Sequence, residues 1–123
     1  MKPKRVMVVD DEVGFTNLVK LNLECTGKFE VLTVNRPGEA MAAALSFMPH
    51  AMLLDIMMPG IEGGELLQQL QAQDVLKKIP VMFITATPSK HVARTLAADF
   101  RCDGIIAKPV DPRLLVQKLD QLI

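Results

Sequence analysis

The chain alternates short, unbroken apolar runs with longer segments in which apolar residues recur at helical spacing. Arg5 to Val9 (RVMVV) is apolar and β-branched, and it stops at Asp10-Asp11. Phe29 to Val34 (FEVLTV) is a second strand candidate. Ala51 to Leu54 (AMLL) is a third, ending at Asp55; Val81 to Ile84 (VMFI) is a fourth, ending at Thr85; Gly104 to Ala107 (GIIA) is a short fifth, ending at Lys108. Unbroken apolar runs, rather than strict alternation, suit strands buried on both faces of a parallel sheet.

Helix candidates fill the gaps. The first carries Phe15, Leu18, Val19, Leu21 and Leu23. The second runs from Pro37 to Phe47 on an alanine-rich background, and the third from Gly63 to Gln73 with Leu66, Leu67 and Leu70 in phase. Thr87-Pro88 pairs an N-cap with a first-turn proline and opens a fourth helix to about Asp99. Asp111-Pro112 repeats that signal before a stripe of Leu114, Leu115, Leu119 and Leu122. Five strand–helix repeats predict an α/β fold with a five-stranded parallel sheet and helices on both faces.

Composition narrows the function. The 123 residues are the length of one domain, and half of them are hydrophobic, so a packed core is expected over residues 1–123. Fourteen basic and fourteen acidic residues cancel, which removes the basic excess that drives binding to nucleic acid. Cys25 and Cys102 form no CxxC and have no histidine at ligand spacing, so free thiols in a reducing cytoplasm are expected. The apolar stretch behind the basic N-terminus is only Val6 to Val9, and no run approaches the roughly 20 apolar residues of a membrane span.

Four of the five strand candidates end in polar groups: Asp10-Asp11, Asp55, Thr85 and Lys108. Ligands of open parallel sheets bind outside the carboxyl ends of the strands, so these residues are predicted to converge. Clustered carboxylates repel one another and attract a hard cation such as Mg²⁺, which often bridges one or two carboxylates and a phosphate. A lysine adds a point charge for an anion, and a threonine hydroxyl donates to an anionic oxygen. Such parts serve phosphoryl transfer, with a carboxylate as an available nucleophile. Taken singly, each has a plainer role: Asp10-Asp11 as a helix cap, Asp55 as a turn residue, Thr85 as a strand end, Lys108 as a solvated charge.

The motifs Val8-Val9-Asp10-Asp11-Glu12, Leu53-Leu54-Asp55-Ile56-Met57-Met58-Pro59-Gly60 with Gly63, Ile84-Thr85-Ala86 and Lys108-Pro109 follow in an order and at spacings that span nearly the whole chain. In them the chain resembles the receiver domain of two-component response regulators, of the chemotaxis-regulator type. The resemblance implies a flavodoxin-like sheet of order 2-1-3-4-5. It implies that Asp55 is the phosphoacceptor and that Mg²⁺ is held by Asp11 directly, by Asp10 largely through water, by Asp55, and by the backbone carbonyl of Met57. It implies that Thr85 and Lys108 hold the phosphoryl oxygens with the backbone N–H of Ala86, and that the Lys108–Pro109 bond is cis. Its implied partners are a histidine kinase or histidine phosphotransfer protein upstream and an output domain or protein downstream. The domain would be a monomer or a phosphorylation-linked homodimer, and would turn over no substrate as an enzyme does.

Some positions depart from the family pattern. Ile105 stands where an aromatic ring usually acts as a switch, Arg101-Cys102 replaces a common Gly-Ala, and His50 occupies a position where an acid is frequent. The resemblance implies that Met57 and Thr87 flank the path of the hydrolytic water, and a methionine there predicts slow to intermediate dephosphorylation. The output face is expected over His91 to Ala98, Ile105 and the exposed part of Leu114 to Leu122. Three alternatives are weaker. A pseudo-receiver usually lacks one of the acids, the threonine or the lysine, and all are present here. A flavin or nucleotide carrier needs a Ser/Thr/Gly-rich loop where this chain has Asp10-Asp11-Glu12. A metal-dependent phosphatase would space its two acids differently on the first strand. A stand-alone receiver and a receiver within a longer regulator or hybrid kinase are both compatible with the sequence.

Overall fold

A computed structural model describes residues 2–86 and 103–123, and each apolar run in it is a strand. The strands are β1 (Lys4–Val9), β2 (Phe29–Val34), β3 (Ala51–Asp55), β4 (Val81–Thr85) and β5 (Ile105–Ala107). Among the described residues they form one parallel sheet of order β2-β1-β3-β4-β5. The order reverses beside β1, which opens a crevice at the carboxyl ends of β1 and β3.

The period of two explains why the runs are apolar throughout. Met7, Val9, Met52, Leu54, Val81 and Phe83 point to one face, against Ala40, Ala44, Leu66, Leu67 and Leu70. Val6, Val8, Ala51, Leu53, Met82 and Ile84 point to the other, against Val19, Leu23, Leu115 and Leu119. The helices are α1 (Val13–Glu24), α2 (Ala40–Phe47), α3 (Gly63–Gln71) and α4 (Pro112–Leu122). Thus α2 and α3 cover one face while α1 and α4 cover the other. Each fully buried leucine, valine or phenylalanine contributes about 1.5–3 kcal/mol.

Several sequence expectations shift. The second helix begins at Ala40, because Pro37–Glu39 forms a 3-10 turn ahead of it. On α1 the buried positions are Thr16, Val19 and Leu23, at helical spacing, while Leu18 and Leu21 face out. Leu114 likewise lies outside the stripe formed by Leu115 and Leu119. Short strands Met57–Met58 and Ile61–Glu62 pair into an unpredicted hairpin, turned by Pro59-Gly60 with Gly60 at φ +87. The predicted helix from Thr87 to Asp99, and with it Thr87, His91 to Ala98, Arg101 and Cys102, lies outside the described residues. Among the described residues no helix is long and apolar enough to cross a membrane.

Arg5 and His50 tie the opposite end of the sheet together. The Arg5 guanidinium donates to the Phe47 and Met48 carbonyls at the end of α2. His50 Nδ1 accepts the Arg5 backbone N–H at 2.9 Å. Burial, then Arg5 and Lys4, hold the imidazole below its ordinary pKa. That keeps Nδ1 free to accept.

At the start of α4, Asp111 accepts the Arg113 backbone N–H at 2.9 Å with Pro112 in the first turn. Asp111→Ala is expected to cost about 1 kcal/mol, read as a lower urea midpoint at unchanged slope. An unshifted midpoint would mean that the cap contributes nothing.

Candidate functional site

Every strand that ends in a polar group delivers it to the same crevice. Asp10 follows β1 and is fully buried; its backbone N–H bonds to the Val34 carbonyl on β2. Asp11 lies beside it, exposed to solvent. Asp55 ends β3 at 5% exposure, and the Ile56 N–H reaches the Ile84 carbonyl on β4. Thr85 ends β4, buried. The Lys108 N–H bonds to the Thr85 carbonyl at 2.8 Å, extending the β4–β5 ladder by one rung and setting Lys108 opposite the acids. The Lys108–Pro109 bond is cis. Ala86 is exposed next to Thr85.

The charged groups meet closely. One oxygen from each of Asp10, Asp11 and Asp55 lies within 4.8 Å of the others. The Lys108 ammonium is 2.7 Å from Asp10 Oδ2, 3.1 Å from Glu12 Oε1 and 3.8 Å from Asp55 Oδ2. It also stands over the Phe15 ring, 4.5 Å from its centre. Asp10 Oδ1 accepts the Glu12 N–H at 2.9 Å, whereas buried Oδ2 has no aligned hydrogen-bond donor among the described residues and meets Lys108 as an ion pair. Asp55 Oδ1 accepts the Met57 N–H at 3.3 Å. Met57 itself is 70% exposed beside the acid.

Titration follows from this arrangement. Burial, and then the charge of Asp10, push Asp55 up to about 6, with Asp11 adding and with Lys108 and the Met57 N–H opposing. Burial alone would lower Lys108. Its contacts with Asp10 and Glu12 and the charges of Asp10 and Asp55 overcome that and hold it above its ordinary value. Lys108 is therefore a permanent cation, and Asp55 is an unusually basic carboxylate.

The donor set fits a hard divalent cation. It is made of oxygens only, its three carboxylates repel one another, and among the described residues Asp10 Oδ2 has no aligned donor. Two residues escaped the sequence reading. Asn35, just past β2, donates through Nδ2 to the Asp10 carbonyl at 2.9 Å and to Thr16 Oγ1 at 2.8 Å; Thr16 Oγ1 donates to the Val13 carbonyl. This bridge ties the loop bearing Asp10 and Asp11 to β2 and α1. The available signal was its position, since Asn35 ends a strand as Asp55 does.

Residues 6–120 match the family model described as the response regulator receiver domain. The chain belongs to that family. As a receiver domain it is 32% identical over 110 residues to the alkaline phosphatase synthesis transcriptional regulatory protein PhoP of Bacillus subtilis, covering 89% of this chain and 44% of that protein. It is 35% identical over 121 residues to the transcriptional regulatory protein TrcR of Mycobacterium tuberculosis, covering 98% and 46%. The chain spans about half the length of the curated relatives it matches. Among solved structures, the Vibrio cholerae chemotaxis protein CheY4 superposes with a TM-score of 0.90 at 26% identity, covering 98% of this chain and 99% of that one. The receiver fold thus accounts for the sheet order and the acid cluster together. Ile105 is half-buried on β5.

Proposed function

We propose that this receiver domain takes a phosphoryl group onto Asp55 from the phosphohistidine of a histidine kinase or histidine phosphotransfer protein. An Asp55 carboxylate oxygen forms the bond to phosphorus as the nitrogen–phosphorus bond of the donor breaks. The observation that carries this reading is the convergence of Asp10, Asp11, Asp55 and Lys108 at one sheet end. Asp10, Asp11, Asp55 and the Met57 carbonyl would hold Mg²⁺, which when bound neutralises anionic oxygens at the reacting phosphorus. Lys108, the Thr85 hydroxyl and the Ala86 N–H take the phosphoryl oxygens, and the buried setting of the acids strengthens each contact. The domain modifies itself and turns over no substrate.

The new group adds about two negative charges. It draws Lys108 and Thr85 inward and so acts on β4, β5 and the helices beside them. Ile105 offers no ring or hydroxyl to follow that movement, so output depends on backbone and packing shifts around β5 and the exposed side of α4. The reader of that face is a downstream protein or output domain, in the cytoplasm, and the domain acts as a monomer or as a phosphorylation-linked homodimer. It does not itself contact nucleic acid.

The test is intact mass after incubation with acetyl phosphate and Mg²⁺. One added phosphoryl group, mapped to Asp55 and missing when Mg²⁺ is withheld, is expected. No added group from acetyl phosphate or from a phosphorylated histidine donor would overturn the reading.

Met57 sets the lifetime of that group. Its thioether cannot orient water as an amide can, and it stands exposed beside Asp55. Met57→Asn is expected to shorten the phosphoryl lifetime roughly fivefold, the rate equivalent of one hydrogen bond of about 1 kcal/mol. An unchanged decay rate removes Met57 from this role.

A further inference from the structure

Three carboxylates surround Lys108, and two of them have roles in the proposed site. Glu12 has none. Its Oε1 lies 3.1 Å from the ammonium, closer than the 3.8 Å of Asp55 Oδ2. Asp10 is fully buried, whereas the Glu12 side chain is 63% exposed. The Glu12 backbone is fixed, because its N–H is held by Asp10 Oδ1 and the residue stands at the N-terminal boundary of α1. The carboxyl group alone is therefore free to engage Lys108 or to leave it. The Phe15 ring, 4.5 Å from the ammonium, carries no charge to compete.

We infer that Glu12 is a latch on Lys108, a positioning residue that holds the lysine in its resting pairing and is released when an anion arrives at Asp55. The inference rests on the phosphoacceptor reading above. The reasoning is electrostatic. A phosphoryl group at Asp55 needs the ammonium that Glu12 shares, and the Glu12 carboxylate repels the incoming anion. Both effects favour the unmodified state. Because the pair is open to solvent, its influence is modest, roughly two- to fivefold in an equilibrium constant.

The probe is beryllofluoride, an anion of the shape and charge of a phosphoryl group, titrated with Mg²⁺ into the parent protein, E12Q and E12D and followed by NMR. E12Q removes the charge. E12D keeps the charge on a stem one methylene shorter, which draws it back from Lys108. E12Q is expected to bind the probe roughly two- to fivefold more tightly than the parent, with E12D moving the same way. Equal or weaker binding by E12Q overturns the latch. E12D indistinguishable from the parent overturns it too, because a distant field rather than a contact would then be acting.

Binding of the probe by no variant, the parent included, would count against the phosphoacceptor reading instead. A double-mutant cycle by urea unfolding without metal then decides the contact separately. The E12Q effect on the unfolding constant is expected to differ roughly two- to fivefold between the parent and K108Q backgrounds. A ratio of one shows that Glu12 and Lys108 are not coupled, and the latch fails.

Discussion

Replacing Gly63 with alanine is expected to destabilise the protein by about 2–4 kcal/mol and to displace the phosphoacceptor loop. A Cβ at this position would lie 2.5 Å from the Asp55 carbonyl oxygen, 2.9 Å from Ile56 Cα and 3.1 Å from Phe83 Cε1. Two of these atoms are backbone, and Phe83 is fully buried in the core, so none yields cheaply. Gly63 opens α3, and its N–H bonds to the Ile56 carbonyl at 2.8 Å. The start of that helix is thus pressed against the strand end that carries Asp55. An added methyl must push α3 away from β3, which strips packing from Leu66, Leu67 and Leu70 or moves Asp55 away from Lys108. Chemical denaturation measures the first effect and beryllofluoride binding the second. A G63A protein within about 0.5 kcal/mol of the parent, with unchanged binding, would show that the close approach is relieved at no cost.

Gly63 also marks the boundary of what the sequence discloses. The strands were legible because the sheet is buried on both faces, and in such a sheet position along the chain and burial coincide. Asp10, Asp11, Asp55, Thr85 and Lys108 were legible because each follows an apolar run, and parallel strands bring all such ends to one side. The sheet order was not a matter of pattern; it came from the resemblance, and hydrogen-bonded register now carries it. Contacts that depend on side-chain reach were hidden. Nothing in the spelling of Asp10-Asp11-Glu12 says that the third acid turns to Lys108, 96 positions away. Asn35 sits in a turn-like stretch before Pro37, and its bridge to Asp10 and Thr16 needs the β1–β2 pairing to exist first. Leu18, Leu21 and Leu114 belong to the apolar helix patterns yet are exposed, because hydropathy records residue type and not the direction of the helix face.

Asp55→Asn is expected to abolish phosphoryl uptake and, without metal, to make the protein more stable. The first effect is chemical, since an amide offers no carboxylate oxygen to phosphorus. The second follows from the resting charges. Asp55 titrates at about 6 instead of 3.8, chiefly because burial and the charge of Asp10 oppose its ionisation. The folded protein therefore holds this proton more tightly than the unfolded chain. Below the unfolded value both states are protonated and Asp55 adds no penalty. Stability is then lost as pH rises, beginning near the unfolded value and ending once the folded value of about 6 is passed. At neutral pH the penalty is complete, up to about 3 kcal/mol for a shift of this size. The asparagine variant lacks this titration, so its urea stability curve should stay flatter from about pH 4 to pH 7 and lie about 1–3 kcal/mol above the parent at neutral pH. Added Mg²⁺ should stabilise the parent more than the variant, because it screens the repulsion that the variant has already lost. These signs separate the proposed acid cluster from a merely structural aspartate. An Asp55 held mainly by its contacts with Lys108 and the Met57 N–H would make the asparagine variant less stable at neutral pH, and the parent would then gain its stability as pH rose toward the unfolded value of 3.8 and show no loss between pH 4 and pH 7.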